Sequence, residues 1–152
     1  MHRDGKISFI IHGVYIMGNM DFRPKLVELL SEPIGYDFCD FDLSRNVLKV
    51  PENIPFGDEY HLFVATPAED PLMVVTELFD ELGGSTATEK FLFTYLPTIR
   101  GAEFEKNQID CLDKVGATVE KFGGKFFKCN SIEMLAGFIN GIGLMEEKKK
   151  WI

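Results

Sequence analysis

The chain has 152 residues, 45% of them apolar and 26% charged, the balance of one globular domain and not of a disordered, collagen-like or coiled-coil chain. Acidic side chains outnumber basic ones, 24 to 16, and the net charge of -8 repels phosphate backbones, which sets nucleic-acid binding aside. No apolar run approaches the ~18 residues of a membrane helix, Met1 to Lys6 does not resemble a secretory leader, and Cys39, Cys111 and Cys129 form neither a disulfide framework nor a zinc pattern. These features describe a cytoplasmic protein with reduced thiols and no membrane partner.

The expected organisation is a single α/β domain over 1–152, with a charged C-terminal tail from about 144. Ile7 to His12 is nearly continuous in apolar character, as a buried parallel strand should be. Asp21 can cap a helix over 22–30, with Pro24 tolerated in its first turn. Tyr36 to Phe41 and Val47 to Val50 flank a polar turn and are spaced like a hairpin, with Pro51 and Pro55 ending regular structure. Tyr60 to Ala65 is a strand.

Asp70 and Pro71 then open a helix over 71–82. Its stripe reads Leu72, Val75, Leu78, Phe79 and Leu82, with Glu77, Asp80 and Glu81 off the stripe and Gly83-Gly84 supplying a left-handed end. Phe91 to Tyr95 is a strand, and Glu103 to Val115 a helix with Phe104, Leu112 and Val115 inward, ended by Gly116. Lys125 to Lys128 is a short strand. Asn130, with Glu133 as capping-box partner, opens a last helix over 131–142 with Ile132, Leu135, Phe138, Ile139 and Ile142 inward. Glu146 to Lys150 reads as a frayed, solvated end.

Strands alternating with capped helices imply a three-layer α/β fold. The mostly parallel sheet has about five strands, one antiparallel excursion and helices on both faces. Val64, Leu78, Leu82, Phe93, Leu112 and Phe138 are its expected core.

Chemical motifs are sparse. Gly13 and Gly18 are spaced as in a P-loop, but Asn19-Met20 stand where Lys and Ser/Thr must reach the phosphates and metal. There is no Gly-x-Ser-x-Gly elbow and no His-Glu-x-x-His, and no residue is assigned to a metal or to catalysis. Lys121 to Lys128 mixes bases and aromatics around Gly123-Gly124, which in an acidic chain reads as a turn and a strand. Candidate ligand contacts come instead from loops at the carboxyl ends of strands, where open α/β sheets bind small molecules. Thr66 follows one strand, although Glu69 and Asp70 beside it disfavour an anion. Thr98 and Arg100 follow another, and Arg100 is a guanidinium placed for phosphate or carboxylate. His12 and His61 are strand residues.

One stretch resembles a known family. Val47-Leu48-Lys49-Val50-Pro51-Glu52-Asn53-Ile54, Gly57-Asp58, Leu62-Phe63-Val64-Ala65, the loop Pro67 to Met73, Leu78-Phe79-Asp80-Glu81-Leu82 and Tyr95-Leu96-Pro97-Thr98-Ile99-Arg100 follow the order of one domain. That domain is the N-terminal one of ribose-phosphate pyrophosphokinase. The likeness spans about Asp40 to Lys106. It implies Phe41 and Arg100 as nucleotide contacts, but of the family's Arg-Gln-Asp-Arg run only Arg100 survives, and of its Phe-x-Asp-Gly-Glu turn only Phe41. The family's second domain has no room in this chain.

The resemblance and the lack of a catalytic constellation imply a non-catalytic domain that binds a nucleotide or phosphosugar, or associates as a homo-oligomer or with a partner subunit; its expected ligand contacts are Arg100 and Phe41 with Thr66, His12 and Thr98. The alternatives are a small phospho-ligand or nucleotide-sugar transferase built on Arg100, Thr66 and His12, and a ligand-free interaction module. Phe56, Tyr60 and Trp151 are the expected docking points for another chain.

Overall fold

Strand β1 (Ile7–Gly13) is buried along its whole length, because it lies inside a sheet covered on both faces. It pairs in parallel with β2 (Ile34–Asp42) on one side and with β4 (Tyr60–Ala65) on the other. β3 (Val47–Lys49) runs antiparallel along β2 and is the expected excursion. Beyond β4, β5 (Phe91–Tyr95) and β8 (Lys125–Phe126) continue in parallel, giving the order β3-β2-β1-β4-β5-β8. The computed structural model describes residues 7–13, 21–42, 47–49, 59–68, 70–84 and 88–149. The segment containing Gly18, residues 51–58 with Phe56, Glu69 and the terminal Trp151 lie outside the described residues.

Helices α1 (Arg23–Leu29) and α4 (Ile132–Lys149) cover one face, and α2 (Pro71–Gly84) and α3 (Lys106–Lys121) the other. The fold is therefore three-layer α/β, as the alternation of elements implied. Under α1 and α4, Phe9, Ile11, Leu62, Val64 and Leu92 of the sheet meet Leu26, Leu135 and Ile139. Under α2 and α3, Phe63, Phe93 and Tyr95 meet Val74, Leu78, Leu82, Leu112 and Val119. Each such Leu removed from water contributes roughly 1.5–3 kcal/mol of burial free energy.

Five of the six expected core residues are buried. The sixth, Phe138, is 38% exposed, its ring lying 4.3 Å from that of Phe127 at the domain's rim. In α2 the inward row is Val74, Leu78 and Leu82, whereas Leu72, in the first turn, is 64% exposed. Asp70 caps α2 as expected, accepting from the Leu72 N–H at 3.0 Å. Gly83 and Gly84 belong to the helix and neither has a positive φ.

The expected loop after Tyr95, with Glu103, the expected first residue of the next helix, instead forms a hairpin of β6 (Thr98–Ile99) and β7 (Ala102–Glu103). Its two turn residues, Arg100 and Gly101, have φ of 47° and 90°, the geometry of a two-residue hairpin turn. α3 then starts at Lys106, with the Gln108 side chain accepting from the Glu105 N–H at 2.8 Å. Gly116 does not end α3. It is buried inside it, where a Cβ would overlap the Phe126 ring.

The last helix is capped by Ser131, whose Oγ accepts from the Met134 N–H at 3.1 Å, and not by Asn130. It also runs past 142 to Lys149. The expected charged tail is helical because Tyr60 Oη donates to Glu146 at 2.6 Å and holds the last turns against the sheet. Tyr60 is thus occupied within the fold, its ring stacked 5.0 Å from that of Phe9.

Candidate functional site

Winding reverses between β1 and β4, and ligands of such sheets sit beyond the carboxyl ends of the strands. At the same carboxyl edge, but to one side of that reversal, a cleft of about 380 Å³ opens past β5 and β8, lined by Tyr95, Pro97, Ile109, Lys128, Asn130 and Met134 with Cys129 at its base. Its wall is apolar and aromatic, and its exposed polar groups are the Lys128 ammonium and the Asn130 amide. Lys128 lies 3.4 Å from Asp113, and the same carboxylate accepts from Tyr95 Oη at 2.6 Å. Burial, with Asp113 next to it, pushes the Tyr95 phenol well above its usual range. Cys129 is buried 3.2 Å from Thr94 Oγ1, and its thiol is also pushed up by burial. It is a packed, unreactive thiol.

The expected ligand contacts are dispersed along this edge. Thr66 is buried just past β4, and Thr98 and Arg100 are exposed on the β6–β7 hairpin, which starts directly after the cleft residue Pro97. Arg100 has no hydrogen-bond or ion-pair partner among the described residues, and its left-handed backbone holds it out at the tip of the turn. Phe41 lies in β2, paired with Leu48. No hydrogen bond joins any two of His12, Thr66, Thr98 and Arg100.

His12 is turned away from this edge into a polar cluster beneath α2. Its ring stacks on Phe63 at 4.1 Å and is 2% exposed. Its Nδ1 lies 2.6 Å from Glu77 Oε1, its Nε2 3.0 Å from His61 Nδ1 and 3.7 Å from Glu81 Oε2. Cys39 of β2 lies 3.9 Å from the same Glu77 oxygen. Burial, and then the neighbouring His12 ring, push His61 down to about 4, so His61 is neutral at pH 7. Burial pushes Glu81 up.

Glu77 and Glu81 are where the sequence reading placed solvent. They stand at inward positions, because Val74, Glu77, Leu78, Glu81 and Leu82 follow the i, i+3, i+4, i+7, i+8 spacing of one helix face. Two carboxylates on an otherwise apolar inward face were the available signal.

No protein-family model and no curated protein matches the sequence. Among solved structures, the chain is similar to a hypothetical protein from Thermus thermophilus, with 13% identity and a TM-score of 0.48. The match covers 91% of this chain but 34% of that protein's length.

Proposed function

We propose that this chain is a non-catalytic binding domain for a small phosphorylated ligand of nucleotide or phosphosugar type, acting in the cytoplasm, alone or as a subunit of a larger assembly. The observation that carries the reading is the cleft beyond β5 and β8. Small-molecule sites pair an apolar, aromatic wall with a few placed polar groups, and Tyr95, Pro97, Ile109 and Met134 face Lys128 and Asn130 in that way. The unpaired Arg100 on the adjoining hairpin adds a second cation at the same edge. Because Asp113 partly neutralises Lys128, the affinity is weak.

We read the site as one of binding: phosphoryl transfer needs several cations converging on the phosphates, and the cleft and its adjoining hairpin offer Lys128 and Arg100 among the described residues. The purified chain is expected to show no pyrophosphoryl transfer.

Calorimetry against ATP, ribose 5-phosphate and phosphoribosyl pyrophosphate tests the reading. Binding of one of them that is weakened by Lys128→Ala and by Arg100→Gly, which keeps the turn, supports it. Inertness toward all three at about millimolar concentration, some 4 kcal/mol of binding free energy, overturns it and leaves the interaction module.

A further inference from the structure

The cluster beneath α2 has more lone pairs than protons to share among them. Glu77 accepts from His12 Nδ1–H at 2.6 Å, which leaves His12 Nε2 to face both His61 Nδ1 and Glu81 Oε2. If His12 is neutral, Nε2 is a lone pair, and it can take a proton from His61 but offers nothing to Glu81. If His12 carries both protons, Nε2–H serves one of the two acceptors and abandons the other. Glu81 Oε2 is indeed buried without a hydrogen-bond partner. A buried carboxylate oxygen left without a donor is costly, and its retention calls for another explanation.

We propose that His12 Nε2, His61 Nδ1 and Glu81 Oε2 form a binding site for a zinc-class divalent ion. The three atoms lie within 4.8 Å of one another. Tetrahedral zinc with ligand bonds of ~2.0–2.1 Å sets its ligand atoms ~3.3 Å apart, and the observed separations of 3.0 and 3.7 Å straddle that spacing. One cation satisfies all three lone pairs at once.

Glu77 then has a defined part. A metal-bound imidazole usually donates its other N–H to a carboxylate that fixes its tautomer and orientation, and the short Nδ1–Glu77 contact supplies this. Two imidazoles and one carboxylate suit zinc, cobalt or nickel and not magnesium or calcium. Cys39 and Glu77 with His12 make an overlapping group, but using it would spend the carboxylate that orients His12. Three protein ligands leave a fourth position, and Glu81, whose side chain is 36% exposed, marks the side from which water or a ligand donor would reach it.

The ligands come from β1, β4 and α2, so no sequence spacing announces them. The site is separate from the cleft, and its test needs no phosphorylated ligand. The full chain, stripped with EDTA, is titrated with Co²⁺ and then Zn²⁺. One Co²⁺ per chain with the visible absorption of tetrahedral cobalt, displaced by Zn²⁺, is expected. Glu77→Gln keeps the three ligands but loosens His12, and is expected to weaken binding about 10- to 100-fold. His61→Ala and Glu81→Gln are expected to weaken it at least as much, while Cys111→Ser, at an exposed position on α3, leaves it unchanged.

Circular dichroism confirms that each variant is folded, and Glu81→Gln, at a partly exposed position, keeps the test intact if His61→Ala unfolds. Absence of binding overturns the proposal. So does binding untouched by Glu81→Gln, or a thiolate-to-cobalt charge-transfer band, which would place the ion on a cysteine.

Discussion

Both faces of the sheet carry two helices, yet they are filled differently. Against α1 and α4 the packed residues are almost wholly aliphatic and aromatic, with the Thr94–Cys129 pair as a self-satisfied polar contact. Against α2 the same kind of inward helical row places Glu77 and Glu81 over His12 and His61. Burial of polar groups without full pairing costs stability, so packing alone would fill those positions with Leu. The α1–α4 face is explained by folding, whereas the α2 face contains something folding does not require.

The largest expected effect lies on the apolar face. Leu135 of α4 is fully buried there. Leu135→Ala is expected to cost about 2–5 kcal/mol through lost burial and the cavity left behind. Urea denaturation measures it, and the cost should be the same with Zn²⁺ or EDTA. A zinc-dependent cost would mean the two faces are not independent.

Shape is equally exacting on the other face, away from the polar cluster. A Cβ at Gly116 would overlap the Phe126 ring, and α3 would have to lift from β8. Gly116→Ala is expected to lose about 1–3 kcal/mol despite alanine's better helix propensity. A neutral or stabilising result in the same denaturation experiment would show that Phe126 repacks freely.

This contrast also marks what the sequence discloses. Val64, Leu78, Leu82, Phe93 and Leu112 are legible because each sits in a periodic apolar pattern that folding obeys. Leu72 and Phe138 match the same periodicity but are exposed, because the periodicity marks a helix face and not how much of its length the sheet covers. The hairpin at Thr98–Glu103 was hidden because Arg occupies a left-handed turn position that glycine or asparagine would have signalled. At the site, His12 could be singled out but its partners could not. His61 reaches it through the pairing of β1 with β4, a neighbour relation fixed by strand order, and the two glutamates looked like solvated charge.

The polar face yields a test of opposite sign. Glu81→Leu removes an unpartnered buried oxygen and extends the Leu78–Leu82 row. In EDTA it is expected to stabilise the fold by about 0.5–2 kcal/mol, while abolishing any stabilisation by Zn²⁺. Destabilisation in EDTA would show that the carboxylate serves the fold itself, and the contrast between the faces would lose its meaning.

The smallest effect concerns a charge-assisted contact on the apolar side, Tyr60 Oη donating to Glu146 at 2.6 Å. The hydrogen bond from Tyr60 holds Glu146 below the usual carboxylate range, and burial followed by the Glu146 contact pushes Tyr60 above the usual phenol range. The two shifts bound a pH window from opposite ends. A carboxylate held down when folded contributes stability above its unfolded pKa of ~4.3 and loses it as pH falls through the lower folded value. A phenol held up contributes below its unfolded pKa of ~10 and loses it as pH rises toward the folded value. The contact should therefore count fully between about pH 5 and 9 and fade on both sides. Glu146 Oε1 also accepts from Lys149 at 3.2 Å, so losing the Tyr60 hydroxyl leaves the carboxylate a partner and limits the contribution to about 1 kcal/mol. Tyr60→Phe keeps the ring stacked on Phe9 and removes only the hydroxyl. It should lower stability at pH 7 by that amount, flatten the difference at both extremes, and let Glu146 titrate higher in a carboxyl NMR titration. A Glu146 titration unchanged by the substitution would show that the hydroxyl does not hold the end of α4, and the helical run to Lys149 would then rest on its apolar side chains alone.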